Sequence, residues 1–464
     1  MMKSQRNSLL LSDGETTALV DAVADIAKAY WLSLPERRTY PATSGAETEA
    51  LLTRSWSEEG IGPAVFESFG PIADRSRPAG DRFFGYVFGS GEPVSAVSEL
   101  LVAALNQNVT SWRSSPAATT IERTVISWLA DAIGCPGLSG SLCGGGSTAN
   151  LMALAIAREA KCSANENGSG GGIVYCSKEV HFSIPKAMAL LGLGRKNLRL
   201  IETDDALRMQ PDLLHRAITD DRAAGLMPIA VIATTGTVVS GAIDPVEEIA
   251  AIAREQDLWL HVDGAYGGLA ALAKPEYFAG LSLADSVSID AHKWLYQPVD
   301  CGCLLYRDRN AARRAFSQQA DYVRVLNEDP IESFVFFDES IELTRRFRAL
   351  KLWMSLQYHG RAAFRAAIEQ DLANAQLLAR KIEEHPELEL FAPVSLSAVC
   401  FGHRDKDNEA LLRRLIARGR VYLSNASFGG RFTLRACFVN HRATPQSVDL
   451  IVSEVIDAAN EIND

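Results

Sequence analysis

The chain has 464 residues, 47% of them hydrophobic and 22% charged, the profile of an ordinary soluble protein long enough to share its core between a large unit and one or two smaller ones. Its 46 basic and 57 acidic residues leave a net charge of −11, which argues against a nucleic-acid groove or an anionic membrane surface as main partner. Met1 to Leu11 is polar apart from Leu9-Leu10-Leu11, far short of a signal core or a membrane span, and the eight cysteines are scattered through apolar surroundings, as expected in a reducing cytoplasm, with core packing rather than metal binding expected at Cys301 and Cys303.

Along the chain, Ala18, Leu19, Ala22, Val23, Ile26 and Ala27 share one face at helical spacing, which predicts a helix over 15–31. Beyond it the chain is punctuated by prolines at 35, 41, 63, 71, 78 and 93, so 1–92 reads as a helical arm that wraps another part of the fold. The arm carries the cluster Phe83-Phe84-Gly85-Tyr86-Val87-Phe88-Gly89. Aromatics at a turn are first of all core residues; the alternative is a pocket wall. A helix over 117–133 puts Ile121, Val125, Trp128 and Leu129 on one face. Then Ser139-Gly-Ser-Leu-Cys-Gly-Gly-Gly-Ser-Thr-Ala-Asn150 runs into an apolar helical stretch. A glycine-rich turn that opens a helix points free N–H groups at an anion, and the hydroxyls of Ser147 and Thr148 add donors. The turn lacks the lysine of a nucleotide-binding loop and the spacing of a dinucleotide fingerprint.

Apolar runs near 173–176, 197–201, 228–234, 258–262, 285–289 and 303–307 alternate with helical patterns near 182–191, 211–223 and 245–255. Such alternation implies a mainly parallel sheet covered on both faces, with ligands beyond the carboxyl ends of its strands. His181, Thr234, Asp263 and Lys293 all fall at or just past such ends. After a less regular stretch at 308–340, long helices are expected at 341–358 and 362–384. The tail reads strand (387–391), strand (397–402), helix (407–417), strand (421–424), strand (430–436) and helix (444–460), a small α+β domain. The expected division is an arm (1–92), a large cofactor-binding domain (93–360) and a small C-terminal domain (361–464).

An amine and a carboxylate on neighbouring strand ends suit pyridoxal 5'-phosphate. Lys293 can form a Schiff base with its aldehyde, and Asp263 can hold a proton on its pyridine nitrogen, which makes the ring an electron sink.

In this order the chain carries Phe83-Phe84-Gly-Tyr86, Ser111-Trp112-Arg-Ser-Ser-Pro116, the Gly-Gly-Gly-Ser-Thr turn, Glu179-Val-His181, Ala233-Thr234-Thr-Gly236, His261-Val-Asp-Gly-Ala-Tyr266, His292-Lys-Trp294 and Arg345-Arg-Phe-Arg-Ala-Leu-Lys351. These eight motifs resemble the group II pyridoxal-phosphate-dependent amino acid decarboxylases, the family of the aromatic-L-amino-acid decarboxylases, over nearly the whole chain. The resemblance implies fold type I, an α/β fold with a mainly parallel seven-stranded sheet covered by helices, and a homodimer with its active site at the interface. It implies that Lys293 is the Schiff-base lysine and that Asp263 pairs with the pyridine nitrogen. Ala265 would sit under the ring and His181 over its other face. Gly146, Ser147 and Thr148 would hold the phosphate with His292 nearby, and Thr234 would lie on the 3-hydroxyl side. Tyr322 matches the loop tyrosine that protonates the carbanion after CO2 leaves; a phenylalanine there marks the related aldehyde synthases.

The chain departs from the family's pattern in three places. Asp290-Ala-His-Lys replaces Asn-Pro-His-Lys, which sets a carboxylate close to the expected phosphate. Phe88-Gly89 follows Tyr86 where the aromatic enzymes carry a Pro-Thr pair that touches substrate, and Asn108 and Thr110 stand at positions those enzymes make apolar. The expected activity is α-decarboxylation of an L-amino acid, with an aromatic substrate leading and acidic or diamino substrates next. Aldehyde formation or transamination on the same cofactor, and a non-catalytic pyridoxal-phosphate-binding paralogue, are the rival readings.

Overall fold

The computed structural model describes residues 9–168, 170–317 and 329–462. Among these, seven strands build one sheet: β1 (Ser139–Cys143), β2 (Ile173–Ser177), β3 (Leu198–Ile201), β4 (Pro228–Thr234), β5 (Trp259–Asp263), β6 (Ser286–Asp290) and β7 (Gly302–Tyr306). Their spatial order is β1-β7-β6-β5-β4-β2-β3. β7 runs antiparallel to both of its neighbours, and the remaining pairs are parallel. Every residue of β2, β4, β5, β6 and β7 is buried. A run such as Pro-Ile-Ala-Val-Ile-Ala-Thr can be apolar at consecutive positions because helices cover both faces of a parallel strand. Val125, Leu214 and Ile249 pack the helices Pro116–Ala132, Pro211–Ala223 and Val246–Glu255 onto one face. Ala153, Ile184 and Ala312 pack Gly146–Cys162, Ser183–Leu190 and Arg309–Phe316 onto the other.

A second, antiparallel sheet takes the order β10-β11-β9-β8, from β8 (Leu388–Leu390), β9 (Ala398–His403), β10 (Ser424–Phe428) and β11 (Arg431–Cys437). Phe401, Leu411, Leu434, Val448 and Ile451 form a separate core beneath it. Leading into this region, the helix Ala349–Glu384 is interrupted at Gly360, whose φ of 73° is not helical.

Several elements differ from the sequence-based expectation, each for a local reason. β1 was hidden in a Ser-Gly-Ser stretch with little strand propensity; pairing with β7 makes it a strand. A helix, Pro93–Leu105, forms where none was expected, with proline in its first turn and Glu92 capping the amides of Val94 and Ser95. The apolar run Val421–Leu423 does not pair within the second sheet. The Tyr422 amide donates to the Arg82 carbonyl (3.0 Å), and the Tyr422 carbonyl accepts from the Phe84 amide (2.9 Å), so this run receives the N-terminal arm.

The helix expected from 341 starts only at Ala349. Instead, Arg345 turns inward and is fully buried against Glu122. Its guanidinium donates to the Glu122 carboxylate (2.5 Å) and to the carbonyls of Val109 and Leu142 (2.9 Å each), while the same carboxylate oxygen accepts from the Leu142 amide (3.0 Å). One ion pair thus ties β1, the helix Pro116–Ala132 and the segment before Ala349 together. Removing one partner of a buried pair strands the other charge. Glu122→Ala is expected to cost about 3–5 kcal/mol of stability, read as a lower urea midpoint.

Candidate active site

Cys143 and Asp290 both lie opposite Gly302 in the register of β7. The carboxyl ends of β1 and β6 therefore share one edge of the sheet with those of β2, β4 and β5. At that edge is a cavity of about 240 Å3. Gly146, Ser147, His181, Thr234, Asp263, Ala265, His292 and Lys293 line it together. Thr148, Tyr86, Phe88, Asn108 and Thr110 do not, and Tyr322 lies outside the described residues.

The glycine turn after β1 is shaped by contact. Gly145 has a φ of +124°, and a Cβ at Gly146 would meet the Cβ of Ala265 at 2.6 Å. The helix that begins here has no side-chain cap at its N-terminus, so its first amides and its dipole face the cavity, the arrangement that favours an anion.

Asp263, 5% exposed, is held by donors on both oxygens. Oδ1 accepts from the Ala265 amide (3.1 Å) and the Ser288 hydroxyl (3.2 Å), and Oδ2 accepts from Asn150 Nδ2 (2.7 Å). Sequence reading did not single out Asn150. The signal was there: it sits four residues, one helical turn, after Gly146, on the same helix face. His261 was likewise missed as a site residue, although it lies two residues before Asp263 and so on the same side of β5. It approaches Asn150 Oδ1 through Nε2 (3.0 Å) and Ser286 Oγ through Nδ1 (2.9 Å).

Lys293 follows β6 by one short turn. Its Nζ lies 3.0 Å from Asp290 Oδ2, and His292 Nε2 lies 3.6 Å from the same oxygen. Asp290 is 2% exposed, and its Oδ1 has no hydrogen-bond partner among the described residues. The carboxylate that breaks the family's pattern therefore meets the lysine amine. Burial pushes the pKa of His292 down, against the pull of Asp290; its Nδ1 accepts from the Cys301 amide (3.3 Å). Burial also lowers His181, outweighing Asp263, and raises the nearby carboxyl of Glu179. Thr234 ends β4 with its amide bonded to Asp244 Oδ2 (2.8 Å).

The expected substrate positions lie elsewhere in the chain. Tyr86 and Phe88 are 49% and 41% exposed; Tyr86 shares a hydrogen bond with the Tyr422 hydroxyl (3.0 Å). Asn108 Oδ1 accepts from the Arg345 amide (2.8 Å), and the Thr110 carbonyl accepts from the Phe336 amide (2.9 Å). The departure at Gly89 has a packing cause. Its amide donates to the His292 carbonyl (3.1 Å), and a Cβ there would come within 2.2 Å of that oxygen.

An open helix N-terminus for a phosphate, an amine for an aldehyde and a hydrogen-bonded carboxylate for a pyridinium share one cavity, and this donor set fits pyridoxal phosphate. The architecture is that of the fold type I pyridoxal-phosphate enzymes. Oryza sativa TDC, solved with PLP and tryptamine, superposes with a TM-score of 0.90 over 97% of this chain and 99% of that one, at 27% identity. The profile of the pyridoxal-dependent decarboxylase conserved domain matches residues 78–404. An aromatic-L-amino-acid decarboxylase of Bacillus atrophaeus is 34% identical over 449 residues, 92% of either chain. An L-2,4-diaminobutyrate decarboxylase of Rhizobium meliloti is 33% identical over 79% of this chain and 75% of its own length. The chain belongs to the pyridoxal-dependent decarboxylase family. It is a carboxy-lyase acting on an amino acid, and its cofactor is pyridoxal phosphate.

Burial pushes the His261 imidazole down to about 4, from about 6.5 in an unfolded chain. The folded protein therefore binds fewer protons than the unfolded one between these values. The contribution is full above pH 6.5 and is lost as pH falls to 4, about 3 kcal/mol in all. The His261 ring is expected to titrate near pH 4 by NMR, and the melting temperature to fall across the same window.

Proposed function

We propose that the protein decarboxylates an aromatic L-amino acid at Cα, releasing CO2 and the amine. The observation that carries the decarboxylase part is the meeting of Lys293, Asp263 and His181 in one cavity with the open helix N-terminus at Gly146. The aromatic part rests on the relative from Bacillus atrophaeus, which spans almost the whole chain. A diamino acid is the second reading, favoured by the relative from Rhizobium meliloti and by the polar residues Asn108 and Thr110.

In this reading Lys293 attaches the cofactor, and the first amides of the helix with Gly146, Ser147 and Thr148 hold its phosphate, with His292 close by. Asp263 keeps a proton on the pyridine nitrogen, Ala265 and His181 cover the two ring faces, and Thr234 flanks the ring. When bound, pyridoxal phosphate accepts the electron pair left at Cα after CO2 departs. The chain's own task is to orient the substrate, exclude water and return a proton to Cα, which we assign to Tyr322. Asp290, 3.0 Å from the Lys293 amine, supplies the negative charge that this amine meets when it is free.

We further propose a cytoplasmic homodimer. No residue of the helix Asp13–Ser33 is buried within its own chain, and Val20, Val23 and Leu32 are exposed, as in an arm that packs on a second copy. Tyr86, Phe88, Asn108 and Thr110 would then reach the substrate across that interface. Among the described residues no helix is long and apolar enough to cross a membrane.

The deciding experiment is a CO2-release screen of purified protein with pyridoxal phosphate against the twenty amino acids, dihydroxyphenylalanine, cysteine sulfinate and 2,4-diaminobutyrate. An aromatic substrate should give the highest kcat/KM; the highest value with 2,4-diaminobutyrate, aspartate or glutamate would overturn the substrate assignment, and aldehyde as the main product would overturn simple decarboxylation to the amine. Lys293→Ala should abolish both the visible absorbance of the bound cofactor and CO2 release. Tyr322→Phe should lower amine formation by about 10²–10⁴-fold, the usual worth of a placed general acid, and divert product, with dissolved O2 as oxidant and hydrogen peroxide and ammonia as by-products, to the aldehyde, measured by chromatography.

A further inference from the structure

Behind the cavity, five polar side chains form a buried line. Trp259 Nε1 donates to Ser286 Oγ (2.9 Å), and Ser286 Oγ lies 2.9 Å from His261 Nδ1. His261 Nε2 lies 3.0 Å from Asn150 Oδ1, and Asn150 Nδ2 donates to Asp263 Oδ2 (2.7 Å). Asn150 Nδ2 makes a second bond, to Ser183 Oγ (3.0 Å), which lies 2.8 Å from His181 Nδ1. Trp259, Ser286, His261, Asn150 and Ser183 are each at most 5% exposed, so water has little access to complete or reverse the pattern.

The chemistry of the two ends gives this line one direction. An indole N–H can only donate and a carboxylate can only accept. Asp263 therefore faces the NH2 of Asn150, and the amide oxygen must face His261. His261 then carries its proton on Nε2, and the Ser286 hydroxyl, which receives the indole N–H, gives its own hydrogen to Nδ1. At the fork, Ser183 receives the second N–H of Asn150 and gives its hydrogen to His181 Nδ1, where the Ser183 amide also points (3.3 Å). The remaining proton of neutral His181 is left on Nε2.

We infer that Asn150 is a positioning residue for the decarboxylation: it directs one donor to Asp263 and, through Ser183, fixes His181 as the Nε2–H tautomer. His181 then offers the cavity a hydrogen-bond donor, the polarity that an anionic amino-acid carboxylate needs; the other tautomer would present a lone pair to it. The functional weight of this arrangement rests on the roles proposed above for Asp263 and His181, but the proton positions themselves do not depend on the cofactor.

The test reads those positions in the cofactor-free protein, by 15N NMR of histidine-labelled samples at pH 7.5. Wild type should show His181 and His261 both protonated on Nε2. Ser183→Ala cuts only one branch: His181 keeps only the residue 183 amide at Nδ1 (3.3 Å), so its Nε2–H fraction should fall while His261 keeps its own. Asn150→Leu removes the fork, so both rings should change, and the affinity for pyridoxal phosphate should fall roughly tenfold, the worth of one hydrogen bond to a charged group. Ser183→Ala retains the fork and gives an independent reading should Asn150→Leu fail to fold. His181 protonated on Nδ1 in wild type, or an Nε2–H fraction in Ser183→Ala as high as in wild type, overturns the inference. A wild type with the expected tautomers that binds no pyridoxal phosphate leaves the wire standing and refutes the cofactor site instead.

Discussion

A sheet covered on both faces leaves its strands only their ends at which a polar side chain can meet a small molecule without opening the core. That constraint orders this protein. β4, β5 and β6 are buried along their full length, and their last residues are Thr234, Asp263 and Asp290. The backbone ladder fixes where these groups can stand, and the chain then adds what a strand end cannot supply: a helix N-terminus from the turn after β1, and an amine from the short turn after β6. The antiparallel β7 is part of the same device. Because both β1 and β6 pair with it, the glycine turn and the lysine turn are brought to one side of the sheet.

The charges of the site are also settled pairwise. Asp263 is surrounded by three donors, so its negative charge is stabilised with no cation in contact among the described residues. Asp290 is the reverse case: one of its oxygens meets Lys293 and the other meets no donor among the described residues. The two carboxylates thus differ in kind. One is fully engaged by the fold, and the other retains free hydrogen-bonding capacity beside the amine.

The strands that carry the site were legible because each is a short apolar run ended by a polar residue, and the predicted bounds of β2 to β7 fall within a residue or two of those observed. β1 was not legible, since Ser-Gly-Ser-Leu-Cys is a strand only through its partner and through the buried Glu122 that accepts from Leu142. The late start of the helix Ala349–Glu384 was hidden for a similar reason: the helical pattern from 341 is real, but Arg345 gives up helix geometry to satisfy a buried carboxylate. At the site, motif spacing pointed to the groups that would touch a cofactor. It was silent about Asn150, Ser183, Ser286 and His261, whose importance lies in whom they touch; apart from the local Ser183–His181 contact, the sequence separations, 25 to 113 residues, cannot be read from a local pattern.

The close approach at Gly89 has a consequence for how such an enzyme can diversify. With the Gly89 amide on the His292 carbonyl and the Glu92 amide on the Tyr296 carbonyl, the arm and the lysine turn are sewn together along a backbone seam. Tyr86 and Phe88 project from the same arm but stand outside the seam, exposed. Side chains can therefore be exchanged at the two aromatic positions while the register of the arm against Lys293 is preserved. The fold thus separates the part of the arm whose side chains are open to variation from the part that must stay constant for the lysine to keep its place.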